Sequence, residues 1–280
     1  MNFQIVLPCG ARGRAVYKVL LLFALVWQPV MAQIETANGA VMSPRSPEMK
    51  VRSFFRGAEN GDTYGLKFVG TWGLTRQDEL RVSLPVYNRD FLGDSRFGIG
   101  DLYLRYKHSI HQDDDVMSSD RFAFLIDSYL PTGEYQAQGR PTRAQLGLGT
   151  PQLGAGLVYS VVRDRHRFSA EIGHRQPLGN DLAGTSHLNL AYWYRLTPGK
   201  FPEDEQVTEV RGVVELLSEL RGPERGRDAG TLVFLAPGLQ IFPSRSTQLE
   251  LNALIPIAQS LRDPLGDRRL GGSFTAKFRF

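Results

Sequence analysis

Leu270-Gly271-Gly272-Ser273-Phe274-Thr275-Ala276-Lys277-Phe278-Arg279-Phe280 alternates residue by residue. Successive side chains of a strand point to opposite faces. Phe274, Ala276, Phe278 and Phe280 therefore share one face, and Ser273, Thr275, Lys277 and Arg279 share the other. Three Phe side by side would be costly against water. A transmembrane β-barrel needs this pattern, with lipid outside, a polar lumen inside and the last strand closing on the first.

Working back from that stretch, the alternation recurs. Residues 63–74 place Tyr64, Leu66, Phe68, Trp72 and Leu74 on one face, with Lys67 and Thr71 opposite. Similar segments cover 49–57, 79–87, 97–108, 121–130, 149–162, 167–176, 186–196, 207–220, 230–242 and 247–257. With 271–280 they predict about twelve strands of about ten residues, the length a tilted membrane strand requires. The fold class is all-β, a transmembrane antiparallel up-and-down β-barrel. Two segments are ambiguous. Residues 230–242 are apolar on both faces, so their register stays open. Residues 209–221 carry helix formers, but Glu209, Arg211, Glu215 and Glu219 all fall on odd positions, which favours a strand. Connections at 75–78, 163–166 and 243–246 are short, and those at 131–148, 177–185 and 258–269 are long, as a barrel with both ends in the periplasm demands. The connections 109–120 and 197–206 are long, and 58–62 is short, against that rule.

The other end of the chain fits export. Arg12, Arg14 and Lys18 precede an apolar run at 19–27, and small residues lead to Ala32. This predicts a signal peptide at 1–32, because the run is too short for a membrane-spanning helix. Residues 33–48, polar and without period, read as a flexible periplasmic leader. The barrel then occupies 49–280. Without residues 1–32 the chain keeps 30 Lys+Arg against 29 Asp+Glu, a net charge of +1, so its basic balance gives no reason to expect nucleic acid as a partner. Cys9, the one cysteine, lies in the signal, so the exported chain has no disulfide, thiol nucleophile or cysteine metal site.

The inward charges are the functional lead. Asp101, Arg105, Lys107, Asp127, Glu171, Arg175, Arg195, Glu209, Arg211, Glu215, Glu219, Glu250, Lys277 and Arg279 are expected to line the lumen. They would select solutes in a polar conduit, or fill a narrow barrel as a salt-bridge network. Outward Tyr64, Trp72, Tyr159, Tyr192 and Tyr194 fit interfacial girdles. His108 and His111 with Asp113, Asp114 and Asp115 read as a solvated turn rather than a metal site. His174 with Ser186 or Asp181 is the local set that a barrel lipid hydrolase would use, but rim polarity accounts for these residues as well. No catalytic residue, metal or cofactor is expected.

Two stretches go beyond general barrel features. Phe97-Gly98-Ile99-Gly100-Asp101-Leu102-Tyr103-Leu104-Arg105-Tyr106-Lys107 resembles the Gly-x-Gly-Asp-Leu strand motif of a family of bacterial outer-membrane proteins. Tyr129-Leu130-Pro131-Thr132-Gly133-Glu134, followed by a Gly-rich strand, resembles the Leu-Pro-Thr-Gly turn of the same family. That family carries the label "MetA-pathway of phenol degradation" and is described as transporter-like. The resemblance covers residues 97–162. It implies an outer-membrane barrel passing small solutes, including hydrophobic or aromatic ones. The final Phe280 is similar to the signal read by the outer-membrane assembly machinery, so that machinery and outer-membrane lipid are the expected partners of a monomer. The alternative is a structural or sensory barrel with a plugged lumen.

Overall fold

The computed structural model describes residues 36–115, 118–135, 141, 144–179, 182–199, 207–223, 229–260 and 264–280. The expected signal peptide and Asp181 lie outside the described residues. The described residues form β1 (Glu48–Ala58), β2 (Thr63–Gly73), β3 (Asp78–Phe91), β4 (Asp94–Ile99), β5 (Leu102–Asp114), β6 (Ser118–Leu130) and β7 (Gln152–Arg163). They continue with β8 (His166–Pro177), β9 (Thr185–Thr197), β10 (Glu209–Arg221), β11 (Gly230–Phe242), β12 (Thr247–Gln259) and β13 (Arg268–Arg279). Neighbouring strands pair antiparallel, and β1 pairs with both β2 and β13, so the sheet closes on itself. Closure leaves no free edge, the condition for crossing lipid with strands.

Thirteen strands make twelve staves, because β4 and β5 share one. On one side β3 pairs with β2 from Glu79 to Arg89. On the other it pairs with β5 from Asp78 to Ser83 and with β4 from Val86 to Phe91. The break falls beside Pro85, which has no N–H to give to the ladder. Gly100 N donates to Pro85 O at 2.9 Å and anchors the broken stave there. A two-residue turn at Leu92 (φ 52°) and Gly93 (φ 85°) joins β3 to β4. The strand expected at 97–108 is thus two strands. Most of the turn expected at 109–120 is strand, since β5 runs to Asp114 and β6 starts at Ser118. That long connection was an exception to the barrel rule, and it disappears.

The outward faces carry the apolar belt. Trp72 is 44 % exposed, Leu157 43 %, Ile172 57 % and Phe274 40 %. Tyr64 and Trp72 sit at opposite ends of β2, and Tyr159, Tyr192 and Tyr194 lie towards the ends of β7 and β9 nearest the chain termini. The register of β11 is settled: Leu232, Ala236 and Gln240 are buried on the inner face, and Pro237 is exposed outside. The inner face is apolar because Phe234 and Ala236 pack on Leu217 and Leu254 from the flanking strands. Residues 209–221 form a strand along their whole length.

Candidate functional site

The interior has three parts: charged walls, a chain segment threaded between them, and a folded loop over one end. The threaded segment is residues 36–42. It was expected to lie free in the periplasm, and it does not. Thr36 N donates to Glu215 Oε1 (3.1 Å), Ala37 N to Glu171 Oε2 (2.7 Å), Gly39 N to Ser160 Oγ (3.0 Å) and Met42 N to Glu79 Oε2 (3.0 Å). Ser169 Oγ donates to Ala37 O (2.7 Å), and Lys107 Nζ donates to Ala40 O. Every non-proline residue has a backbone donor and acceptor that must be paired when buried. A lumen of carboxylates, hydroxyls and ammonium groups can pair them, so a segment with no strand pattern of its own is held there. Ala37 also packs with Ala123, Leu125 and Val158. At Gly39 a Cβ would lie 2.8 Å from Arg121 O and 2.9 Å from Arg121 Cβ, so the segment passes too close to β6 for a larger residue.

The wall under this segment is a connected ion network. Arg105 bonds Asp127 through Nε (2.7 Å) and Nη2 (2.9 Å), and Nη2 also reaches Glu171 Oε1 (2.9 Å). Glu171 is 2 % exposed and is also 3.4 Å from His187 Nε2. Lys107 pairs with Glu79 at 3.1 Å, and Arg81 with Glu79 at 3.4 Å. Each cation is charge-assisted by a carboxylate that also holds the threaded segment or lies beside one that does. Arg175 donates to Tyr129 Oη at 2.8 Å and lies 4.7 Å from its ring centroid.

The remaining expected lumen residues are spread more widely. Glu209 pairs with Arg211 and Glu219 with Arg221, each at 2.6 Å along one strand. Lys277 lies 3.6 Å from Glu250 and 3.8 Å from Glu48, and Arg279 lies 3.3 Å from Glu48. Arg195 reaches Asp164 at 3.2 Å in the β7–β8 turn. Asp101 is a correction. It sits in the break between β4 and β5, outside the strand alternation, and accepts from Gly133 N (3.1 Å) and Leu148 N (2.9 Å). Burial pushes the pKa of its carboxyl up, and the two amides act against that. It pins the β6–β7 loop, whose Leu146 O and Gln145 O accept from Tyr87 and Arg89 of β3. Ala144 of this loop packs with Ala58 and Leu265 at the end of the barrel away from the chain termini. Glu48, Lys50, Arg52, Glu79 and Arg81 were missed as lumen residues, although strand parity places them on the same inner face.

The other candidates separate. His108 Nδ1 is 2.8 Å from Asp78 Oδ1, and Arg121 holds Asp114 at 2.7 Å, so the acidic turn is largely strand and already engaged. His174 Nδ1 is 2.9 Å from Ser186 Oγ on the outward face. Ser186 lies in a strand paired on both sides. The neighbouring amides are committed to the sheet, so they are not free to hold an oxyanion.

Fold and interior together define a closed transmembrane-type β-barrel with its own chain threaded through the lumen. The barrel fold is similar to that in the crystal structure of the COG4313 outer membrane channel from Pseudomonas putida F1. The two superpose with a TM-score of 0.68 at 13 % identity, over 89 % of this chain and 100 % of that one. The outer membrane protein OprD from Pseudomonas aeruginosa gives a TM-score of 0.40 at 10 % identity, over 91 % and 97 %. No family model matches the chain, and no curated protein matches it in sequence.

Proposed function

We propose that this protein is an outer-membrane channel for small solutes, with a resting lumen obstructed by residues 36–42. The observation that carries this reading is the set of hydrogen bonds between that segment and Glu215, Glu171, Ser160, Lys107 and Glu79. They run through backbone groups to side chains on four separate strands and β10, so the segment can leave without unmaking the barrel. The likeness to an outer membrane channel supports the location and the class. The Gly-x-Gly-Asp-Leu and Leu-Pro-Thr-Gly stretches support membership of the transporter-like family labelled for phenol degradation. The apolar inner patch formed by Phe234, Ala236, Leu217 and Leu254 supports passage of solutes with apolar or aromatic parts. Inward charges are the selecting surface, and no catalytic step is assigned.

Planar-bilayer recording tests the reading. The full-length exported barrel is expected to pass small or intermittent currents. Deleting residues 33–42 should raise conductance by roughly an order of magnitude, as removal of a constriction does in a charged pore. A second reading, a closed structural or sensory barrel, draws on the same obstruction. It predicts that the deletion variant stays silent, and that result would remove the channel proposal. Recovery of the protein in the soluble periplasm instead of the outer membrane would remove both.

A further inference from the structure

The barrel wall is closed where it would cross lipid, yet one strand runs on past its neighbour. β3 begins at Asp78, which pairs with His108 of β5. Ser109 N then donates to Gln77 O at 2.7 Å, and there the ladder between the two strands ends. β5 continues to Asp114, still paired on its other side with β6, from His111 with Phe122 to Asp114 with Ser119. Residues 110–114 therefore form a sheet edge with no strand beside it among the described residues. They are all exposed. At ~3.4 Å per residue the edge is roughly 17 Å long, at the end of the barrel that carries the chain termini. Unpaired N–H and C=O groups in a row are a ready template for another chain.

The edge borders a cleft of about 720 Å³, within the size range of ligand sites. Val41, Met42 and Pro44 of the segment leaving the lumen line it, together with Arg76, Ile110 and Gln112. The segment's side of the cleft is fixed. Glu79 holds Met42 N, and Met42 O lies where a Cβ on Gly73 would stand. Ile110 is 54 % exposed and sits at the irregularity in the β5–β6 pairing. An extended peptide laid on the edge would thus meet backbone groups on one side and an apolar surface on the other. The charges say which peptide. Arg121 holds Asp114 and Arg163 holds Asp120, but Asp113 makes no ion pair or side-chain hydrogen bond among the described residues. It stands directly opposite Asp120, an arrangement that weakens a sheet. Arg76 lies across the cleft, on the β2–β3 turn. The edge therefore favours a cation beside Asp113 and disfavours an acidic strand, including β5 of a second copy.

We propose that residues 110–114 are a docking edge for an extended, cationic peptide segment of a partner protein, added to β5 as a further strand. Main-chain hydrogen bonds supply the affinity, and alternate side chains supply the choice of partner. Placing that partner in the periplasm rests on the outer-membrane reading above. The edge and its peptide do not rest on it, nor do they depend on conduction.

A capped, fluorescent peptide of alternating lysine and valine is the probe, and its binding to the exported-length barrel in nanodiscs of zwitterionic lipid is read by anisotropy. Saturable binding is expected, with none to empty nanodiscs. The same peptide N-methylated on every backbone amide keeps its charges and loses its ladder, so it should not bind. Asp113→Lys turns an attraction into a repulsion and should weaken binding about tenfold. Asp94→Lys, at the other end of the barrel, should bind as the unaltered protein does. If Asp113→Lys fails to fold, Asp113→Asn replaces it, with a loss of roughly threefold. No binding by the unaltered barrel, equal binding of the methylated peptide, equal binding to empty nanodiscs or equal binding by the Asp113 variant overturns the docking edge. Recovery of the protein in the soluble periplasm would remove the outer-membrane reading and leave the edge standing.

Discussion

The two halves of the lumen are built from the same alternating strands and handle buried charge in opposite ways. Around β5 and β8, Arg105 is held by Asp127 and Glu171, and the threaded segment takes the remaining acceptors. Around β13, β1 and β2, cations face cations, with Glu250 and Glu48 shared among them. Breaking a buried pair by removing one partner is far more costly than never having formed it. One half is therefore a connected brace, and the other sets like charges opposite one another across its strands.

This contrast can be broken experimentally, beginning at the brace. Glu171→Ala leaves Arg105 with one carboxylate fewer and frees Ala37 N. It should cost about 3–5 kcal/mol, the usual loss when a buried pair is broken. Denaturant unfolding of the barrel should show it, and conductance should rise in the same variant because the threaded segment loses an anchor. Unchanged stability would mean that the brace is not where the structure is held. Next in size is Asp101→Ala. It removes the acceptor of two loop amides and should cost about 1–3 kcal/mol. Here the readout is faster proteolysis within the β6–β7 loop, with the barrel core intact.

Gly39→Val sharpens the contrast without touching a charge. Its side chain would collide with Arg121, so the segment should be displaced and conductance should rise towards that of the deletion variant. A silent variant would show that the segment tolerates the bulk. The smallest effect belongs to the other half. Lys50→Gln relieves the opposed like-charge pair with Lys277 and should stabilise the barrel by up to about 1 kcal/mol at low salt, with less gain as salt is added. A loss of stability there would mean that the pair is already neutralised.

Strand count, sidedness of most charges and the outward aromatics were legible in the sequence because period two depends only on which residues alternate. What stayed hidden depends on something else. The broken stave follows from Pro85 acting on a neighbouring strand, a signal that sits 15 residues before Gly100 and cannot be seen within either strand alone. The register of β11 was hidden because its inner face packs on Leu217 and Leu254 and so carries no polar marker. The threaded segment was read as free because it binds through backbone N–H and C=O groups, which every sequence possesses. Only the small size of Gly39 and Ala37 hinted at a narrow passage. Phe280 is exposed at 73 %; if it is the assembly signal proposed for it, deleting it should lower the yield of inserted barrel while export continues.

The seam between β1 and β13 has a consequence for how the molecule is made. Its paired residues run from Glu48 with Arg279 to Ala58 with Arg268, the most distant contacts in the chain. Chain-closure entropy and slow formation both grow with such separation. Eleven other seams can zip neighbour to neighbour before this one forms, and until then the two lone strand edges have nothing in lipid to bond with. The final step of biogenesis is therefore the sealing of one seam, and Lys50 opposite Lys277 lies within it. That pair of like charges has to be brought together as the seal forms.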